Sequence, residues 1–333
     1  MNLEERAREL CASPTGCAFL CNIEESGLPL DVAARPDIAI DAAAAALSDT
    51  DIWSPDHEAL VALALAQGER LQDLARAILA TPEAAWWFAP VDREAQWIVL
   101  KSGQDLSEDA PITPISPPTG WEIYAQKPAN AIYTSTAVNG TCATLTAMAH
   151  LAVDYYPEPP LRPIHMRASA AARVYEVDGA WAWHELARRF PAHETRERKN
   201  GRLVPDWGQV AAEWDAVHLT LGGMLTADQV RIESEAGWTE LESWPPEVTV
   251  WFRQVLEEVE RLPLLDAPPP SGMTFGSPNC LWIRYETSPG PWLARVFVSG
   301  LPIPEDAPLD PGPLAEWHAL TRDLKWPTEP PDR

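Results

Sequence analysis

Apolar residues over roughly the first 88 positions recur at steps of three and four, the spacing that lines up side chains on one helical face. Leu3, Ala7, Leu10 and Cys11 form one such stripe; Leu60 with Leu63, and Leu71, Leu74 and Ile78, form others. Breaks fall at Gly27-Leu28-Pro29, at Arg35-Pro36 and around Ser54-Pro55. Glycine and proline interrupt helices there, and Ser54 suits an N-cap with Pro55 at the first helical position and Glu58 facing the positive end of the dipole. Thr81-Pro82-Glu83 repeats that start signal ahead of Trp86-Trp87-Phe88.

Beyond this the period changes. Gln96 to Leu100 is an apolar, β-branched run that predicts a strand. The acidic, proline-rich stretch Asp105 to Pro118 reads as a linker or long surface loop. Strands are expected at Trp121–Tyr124, Ala131–Ala137, Ala172–Val177 and Asp215–Thr220, the last ending at Gly222-Gly223. Helices are expected at Thr141–Val153, Trp181–Phe190, Trp207–Trp214 and Pro246–Leu262, where Val248, Phe252, Val255 and Val259 make a stripe. Cys280–Thr287 and Trp292–Val298 pair across the turn-forming Ser288-Pro289-Gly290-Pro291. The expected architecture is α+β. A helical N-terminal domain, residues 1–110, packs on a mixed β-sheet domain with short helices, residues 111–300, followed by a Pro-rich tail, residues 301–333, with one short helix near Trp317.

Composition changes this picture in two places. The chain carries 16 Trp and 34 Pro in 333 residues, which favours aromatic cores or stacking surfaces and short elements joined by stiff connections. Its 49 acidic against 25 basic side chains give a net charge of -24. Such a surface repels phosphate backbones and anionic lipid, so general nucleic-acid coating and membrane-surface binding are not expected, whereas a protein partner is compatible with it. Five cysteines, three of them clustered as Cys11, Cys17 and Cys21, fit no disulfide framework or zinc spacing and read as buried thiols. The start of the chain reads as a charged amphipathic helix rather than a signal peptide, and no apolar run reaches the ~18 residues of a membrane span, so a cytoplasmic location is expected.

The sequence lacks a phosphate-binding G-x-x-x-x-G-K-[ST] loop, a G-x-G-x-x-G turn, H-E-x-x-H and G-x-S-x-G, which argues against P-loop enzymes, zinc hydrolases and α/β-hydrolases; no metal is expected. The remaining candidates are polar groups on strands of the second half: Tyr133-Thr134-Ser135-Thr136, Arg173-Val174-Tyr175-Glu176-Val177, Asp215 with His218, and Arg231-Ile232-Glu233-Ser234-Glu235. A strand-borne Thr-Ser-Thr upstream of Glu-x-Glu resembles the motifs of mono-ADP-ribosyltransferases of the arginine–serine–glutamate class, over about residues 97 to 300. The resemblance implies NAD as substrate, with Tyr133, Ser135 and Thr136 at its binding site. It makes Glu235 the catalytic carboxylate that holds the ribose 2′-hydroxyl and stabilises an oxocarbenium-like transition state, with Glu233 as its partner; His218, outside the motif, is a further catalytic candidate. A carboxylate beside a developing cation supplies the electrostatic stabilisation such a reaction needs. The basic residue that the family carries on an early strand has only Arg93 near it here, and Glu240-Leu241-Glu242 repeats the Glu-x-Glu pattern.

Two further readings stand beside this one. An acidic, Trp-rich interaction module would show a contiguous exposed apolar patch. A small-molecule enzyme would use Asp215 or His218 as general base in an aromatic pocket. Without a ligand role, Tyr133 to Thr136 is simply a strand of high β-propensity, His218 a hydrogen-bonded core histidine, and Glu233 and Glu235 a solvated edge. The Arg196–Arg202 cluster reads as an exposed loop.

Overall fold

The computed structural model describes residues 2–50, 57–100, 105–112, 128, 131–138, 141–142, 162–192, 201–242, 244–264, 276–277, 280–285 and 292–297. The N-terminal part is helical: α1 (Leu3–Ala12), α2 (Pro14–Ser26), α3 (Leu30–Ala33), α4 (Pro36–Asp49), α5 (His57–Leu65) and α6 (Gly68–Leu79), then a 3₁₀ helix at Pro82–Phe88. Local chemistry sets these limits. Asn2 caps α1 by accepting from the Glu5 amide while the Glu5 carboxylate accepts from the Asn2 amide, a reciprocal capping box. Ser13 caps α2, and Gly27 ends it in the left-handed region at φ 63, a conformation that glycine adopts without a Cβ penalty.

Thirteen strands are described: β1 (Gln96–Leu100), β2 (Ile132–Val138), β3 (Thr141–Cys142), β4 (Arg162–Ala168), β5 (Val174–Val177), β6 (Ala216–Leu219), β7 (Ile232–Ser234), β8 (Gly237–Thr239), β9 (Val248–Trp251), β10 (Leu256–Arg261), β11 (Gly276–Ser277), β12 (Cys280–Tyr285) and β13 (Trp292–Phe297). Three helices stand among them: α7 (Ala180–Arg189), α8 (Trp207–Glu213) and α9 (Leu221–Ala227). The main sheet runs β10-β4-β1-β2-β9-β6-β5, with β3 beside β2, while β11-β12-β13 and the β7–β8 hairpin are separate. Among the described residues the β5–β6 pair alone of the main sheet is parallel, and its crossover carries α7 and α8. The fold is therefore α+β with a mixed sheet, as the sequence patterns predict.

Register assigns the two faces of this sheet, because directly opposed residues project to the same side. One face carries Tyr133, Tyr175, Val177, Val217, Leu219, Val248 and Val250, which share a core with Leu10, Phe19, Leu20, Leu71 and Trp87 of the N-terminal helices. The opposite face carries Val174, Ala216, Trp251, Ile132, Ile98, Ile164 and Met166, a second core closed by Val91 and Leu256. The N-terminal helices are locked to α9 by close backbone approach. A Cβ on Gly16 of α2 would stand 2.1 Å from the Leu10 carbonyl oxygen and 2.8 Å from that of Leu225 in α9. A buried polar knot reinforces the junction: Thr15 donates to the Asp228 carboxylate at 2.6 Å, Ser13 to the Asp228 carbonyl, and Gln229 to the Thr50 carbonyl. Arg6 reaches from α1 to the Asp178 carboxylate and carbonyl, and its guanidinium lies 4.0 Å from the centre of the Phe88 ring.

Three expectations change. Pro246 to Leu262, expected as a helix, forms strands β9 and β10. β9 sits between β2 and β6 and is buried along its whole length, so its Val-Thr-Val-Trp run shows no alternation. Val259, which completed the helical stripe, is exposed. Thr141, expected to open a helix, begins β3 instead, where it pairs with Val138. Gly222 and Gly223, expected at the end of a strand, lie inside α9, and a Cβ at Gly223 would meet the Val177 carbonyl oxygen at 2.1 Å. The expected strand at Trp121–Tyr124, the helix over 143–153, the turn at Ser288–Pro291 and the tail from 301 lie outside the described residues, as does most of the Arg196–Arg202 cluster.

Candidate functional site

The face holding the second core changes character toward one end. Register aligns Glu176 of β5 with His218 of β6, His218 with Thr249 of β9, and Thr249 with Thr134 of β2. Two residues further along β2, Thr136 lies opposite Gln96 of β1. A band of polar side chains thus crosses five strands next to an apolar core, with Gln96, Thr134, His218 and Thr249 all nearly inaccessible. Burying polar groups in this number is tolerable only where they satisfy one another.

Glu247 completes the band. It stands just ahead of β9, behind Pro245-Pro246, and its backbone is in the left-handed region at φ 50, a conformation that costs a side-chain-bearing residue about 1 kcal/mol or more. Held this way, its buried carboxylate gathers four donors. Oε2 accepts from the Ser135 hydroxyl at 2.5 Å and the Thr136 amide at 2.8 Å; Oε1 accepts from the Thr136 hydroxyl at 2.6 Å and His218 Nε2 at 3.4 Å. The other ring nitrogen, His218 Nδ1, lies 2.6 Å from Glu176 Oε2, and Glu176 Oε1 accepts from the Val91 amide at 3.2 Å. Burial alone would lower the proton affinity of His218, but hydrogen bonds to Glu176 and Glu247, and their charges, outweigh it and raise the pKa from 6.5 to about 9. The three side chains form a row, Glu176–His218–Glu247, in which Glu247 is enclosed and Glu176 keeps 29% of its side chain open to solvent.

A second chain of hydrogen bonds supports the floor. Trp251 Nε1 donates to the Thr134 hydroxyl at 2.7 Å, Thr134 donates to Gln96 Oε1, and Gln96 Nε2 donates to the Asp92 carbonyl at 2.6 Å. Thr249 Oγ1, between His218 and Thr134 in register, is buried with no hydrogen-bond partner.

The structure brings together Ser135, Thr136 and His218 of the residues singled out from sequence, and joins them to Glu247 and Glu176. Tyr133 projects from the face of β2 opposite to Thr134 and Thr136, donates to the Pro128 carbonyl at 2.7 Å, and has its phenol pKa pushed up by burial. Glu233 is on β7, exposed and paired with Arg231 at 2.8 Å, and Glu235 is exposed in the turn between β7 and β8. That hairpin is separate from the main sheet. Asp215 accepts from Arg253 at 2.9 Å and from the Arg173 amide at 2.8 Å, which commits its carboxylate to the β5–β6–β9 strand ends. Arg93, just before β1, donates to the Ser169 and Ala172 carbonyls; the β1 residue that faces the polar band is Gln96. Glu176 stood in the Val-Tyr-Glu-Val strand quoted from sequence, but Glu247 belonged to no motif. The signal that could have marked it is a lone carboxylate behind two prolines and ahead of a β-branched run.

Among the described residues no helix is long and apolar enough to cross a membrane, and no group of His, Cys, Asp and Glu side chains is arranged to hold a metal ion. Comparison of the chain with protein-family models, with curated proteins and with solved structures finds no match.

Proposed function

We propose that the chain is an NAD-using, ADP-ribosyltransferase-like enzyme acting on a macromolecular target, with Glu247 in the role that the sequence motif gave to Glu235. The observation that carries this reading is the 2.5 Å contact between the Ser135 hydroxyl and the Glu247 carboxylate. The resemblance calls for a strand-borne hydroxyl beside a carboxylate, and here the two meet although the Glu-x-Glu segment lies elsewhere. In the reaction, the bond between nicotinamide and ribose C1′ breaks and its electron pair leaves with nicotinamide. The positive charge that develops on the ribosyl group is stabilised by an anionic carboxylate already oriented and desolvated, which needs no reorganisation as the charge appears. The ribose 2′-hydroxyl would take the acceptor position on Glu247 now filled by Thr136, the partly exposed donor of the four. An acceptor nucleophile then forms the new bond to C1′ and loses its proton to solvent.

The test is release of nicotinamide from NAD, followed by chromatography in the wild type, Glu247→Gln and Glu235→Gln. The expected result is release that falls at least a hundredfold, on the order of the loss of an essential transition-state contact, in Glu247→Gln. Glu235→Gln should match the wild type. Absence of both binding and release at millimolar NAD would overturn the reading. The small-molecule alternative keeps one supporting observation, the open carboxylate of Glu176. His218 itself has both ring nitrogens engaged and Asp215 is ion-paired, so neither general base named from sequence is free to accept a proton.

A further inference from the structure

Resting on that reading of Glu247, we infer that His218 and Glu176 are positioning residues, a cation and its anchor whose task is to hold the Glu247 carboxylate fixed within the sheet. The argument is geometric. A neutral imidazole donates from one nitrogen and presents a lone pair on the other. If His218 carried its proton only on Nδ1, the Nε2 lone pair would face Glu247 Oε1; if only on Nε2, the Nδ1 lone pair would face Glu176 Oε2 at 2.6 Å. Each neutral tautomer therefore opposes a lone pair to a carboxylate oxygen, and the doubly protonated ring relieves both contacts.

The need for a cation follows from the surroundings of Glu247. Its other donors, the Ser135 and Thr136 hydroxyls and the Thr136 amide, are neutral, and its side chain is 4% exposed. A charge buried this deeply is held by an oppositely charged, hydrogen-bonded partner. The charged or titratable groups of the packed elements bear this out. β5 supplies Glu176 and the head of β9 supplies Glu247, while β2 and β1 supply only hydroxyls, an amide and Gln96. In the 89–95 segment Asp92 accepts from the Glu94 amide, and Arg93 is turned to the Ser169 and Ala172 carbonyls. Among the described residues His218 is the one positive group in contact with Glu247, and Glu176 is the group that makes its charge tenable.

The experiment is a nitrogen NMR titration of the His218 ring, beside the chemical shift of the Thr136 amide that donates to Glu247, in the full-length wild type, Glu176→Gln and Glu176→Asp. Neither measurement requires substrate, so failure of NAD turnover would overturn the proposed reaction without deciding this inference. The expected result is a wild-type ring that stays in the imidazolium form through neutral pH. Glu176→Gln should lower its midpoint by at least about one unit, tenfold in proton affinity. Glu176→Asp should restore much of the difference, and the Thr136 amide, which donates to Glu247, should shift in Glu176→Gln. In an active enzyme the alkaline limb of the kcat profile moves with the ring midpoint, with KM for NAD little changed. A neutral His218 ring at pH 7 in the wild type, or a midpoint unmoved by Glu176→Gln, would overturn the inference.

Discussion

A raised histidine pKa is also a statement about stability, and His218 allows the size to be worked out. In the folded chain the ring holds its proton up to about pH 9, against 6.5 for the free side chain. Each unit of difference corresponds to about 1.4 kcal/mol, so the proton binds the native state more tightly by about 3 kcal/mol. The sign follows from which state holds more protons. Below 6.5 both folded and unfolded chains are protonated at this site and the contribution is fully present. Between 6.5 and about 9 the folded chain alone keeps the proton, so stability falls with rising pH, and the contribution is gone once the folded pKa is passed. Other groups titrate in the same range, among them Glu240, whose carboxyl burial pushes up to about 7. Their effects cancel when the wild type is compared with His218→Gln at each pH. The assay is urea unfolding followed by Trp fluorescence near pH 6.5 and near pH 9. The stability advantage of the wild type over the variant should shrink by about 3 kcal/mol between the two. A difference that stays level would mean that His218 is not the proton acceptor the geometry makes it, and the row Glu176–His218–Glu247 would have to share its proton in another way.

Two other outcomes follow from the buried polar groups. Thr249→Val replaces a hydroxyl that has no partner with a methyl group of the same shape, and should stabilise the chain by about 1 kcal/mol in the same urea assay; a clear loss would reveal a partner for Oγ1. Thr15→Val removes the hydroxyl that donates to buried Asp228, and should cost about 2 kcal/mol. Because that bond joins α2 to the residue after α9, the helical circular-dichroism signal and the Trp fluorescence should shift together; separate transitions would show that the chain does not unfold in one step.

The elements that could be read from sequence are those whose burial is one-sided. α6 buries Leu71, Ala75 and Ile78 on one stripe, and the predicted helix is there. β1, β2, β5 and β6 fall within a residue or two of their expected limits because β-branched runs bounded by turn residues have few other uses. β9 and β10 were hidden for opposite reasons: β9 is buried on both faces and β10 is an edge strand, buried at its first residue and mostly exposed beyond it. Neither shows the alternation of a half-buried strand, and spaced valines imitated a helix. The site divides in the same way. Ser135 and His218 lie on strands and carried residue types that attract notice. Glu247 lies in a turn that is defined by its backbone conformation and by a strand more than a hundred residues earlier in the chain. No local pattern encodes that pairing, whereas Glu-x-Glu arises readily among 49 acidic residues.

The shared core has a consequence for how the chain is made. α2 buries eight of its residues, Pro14 to Leu20 and Ile23, and part of what covers them is α9, some two hundred positions later. Synthesis at about 5–20 residues per second delivers the first of these surfaces tens of seconds before the second at the slow end of that range. Through that interval an apolar helix must either stay unformed, pair with α4 and α6 alone, or be shielded by a chaperone. Its one favourable circumstance is the acidic character of the chain around it, which keeps nascent copies apart. Ribosome-bound chains that stop before Leu221 should therefore expose α2 to protease, and chains extended past Asp228 should protect it.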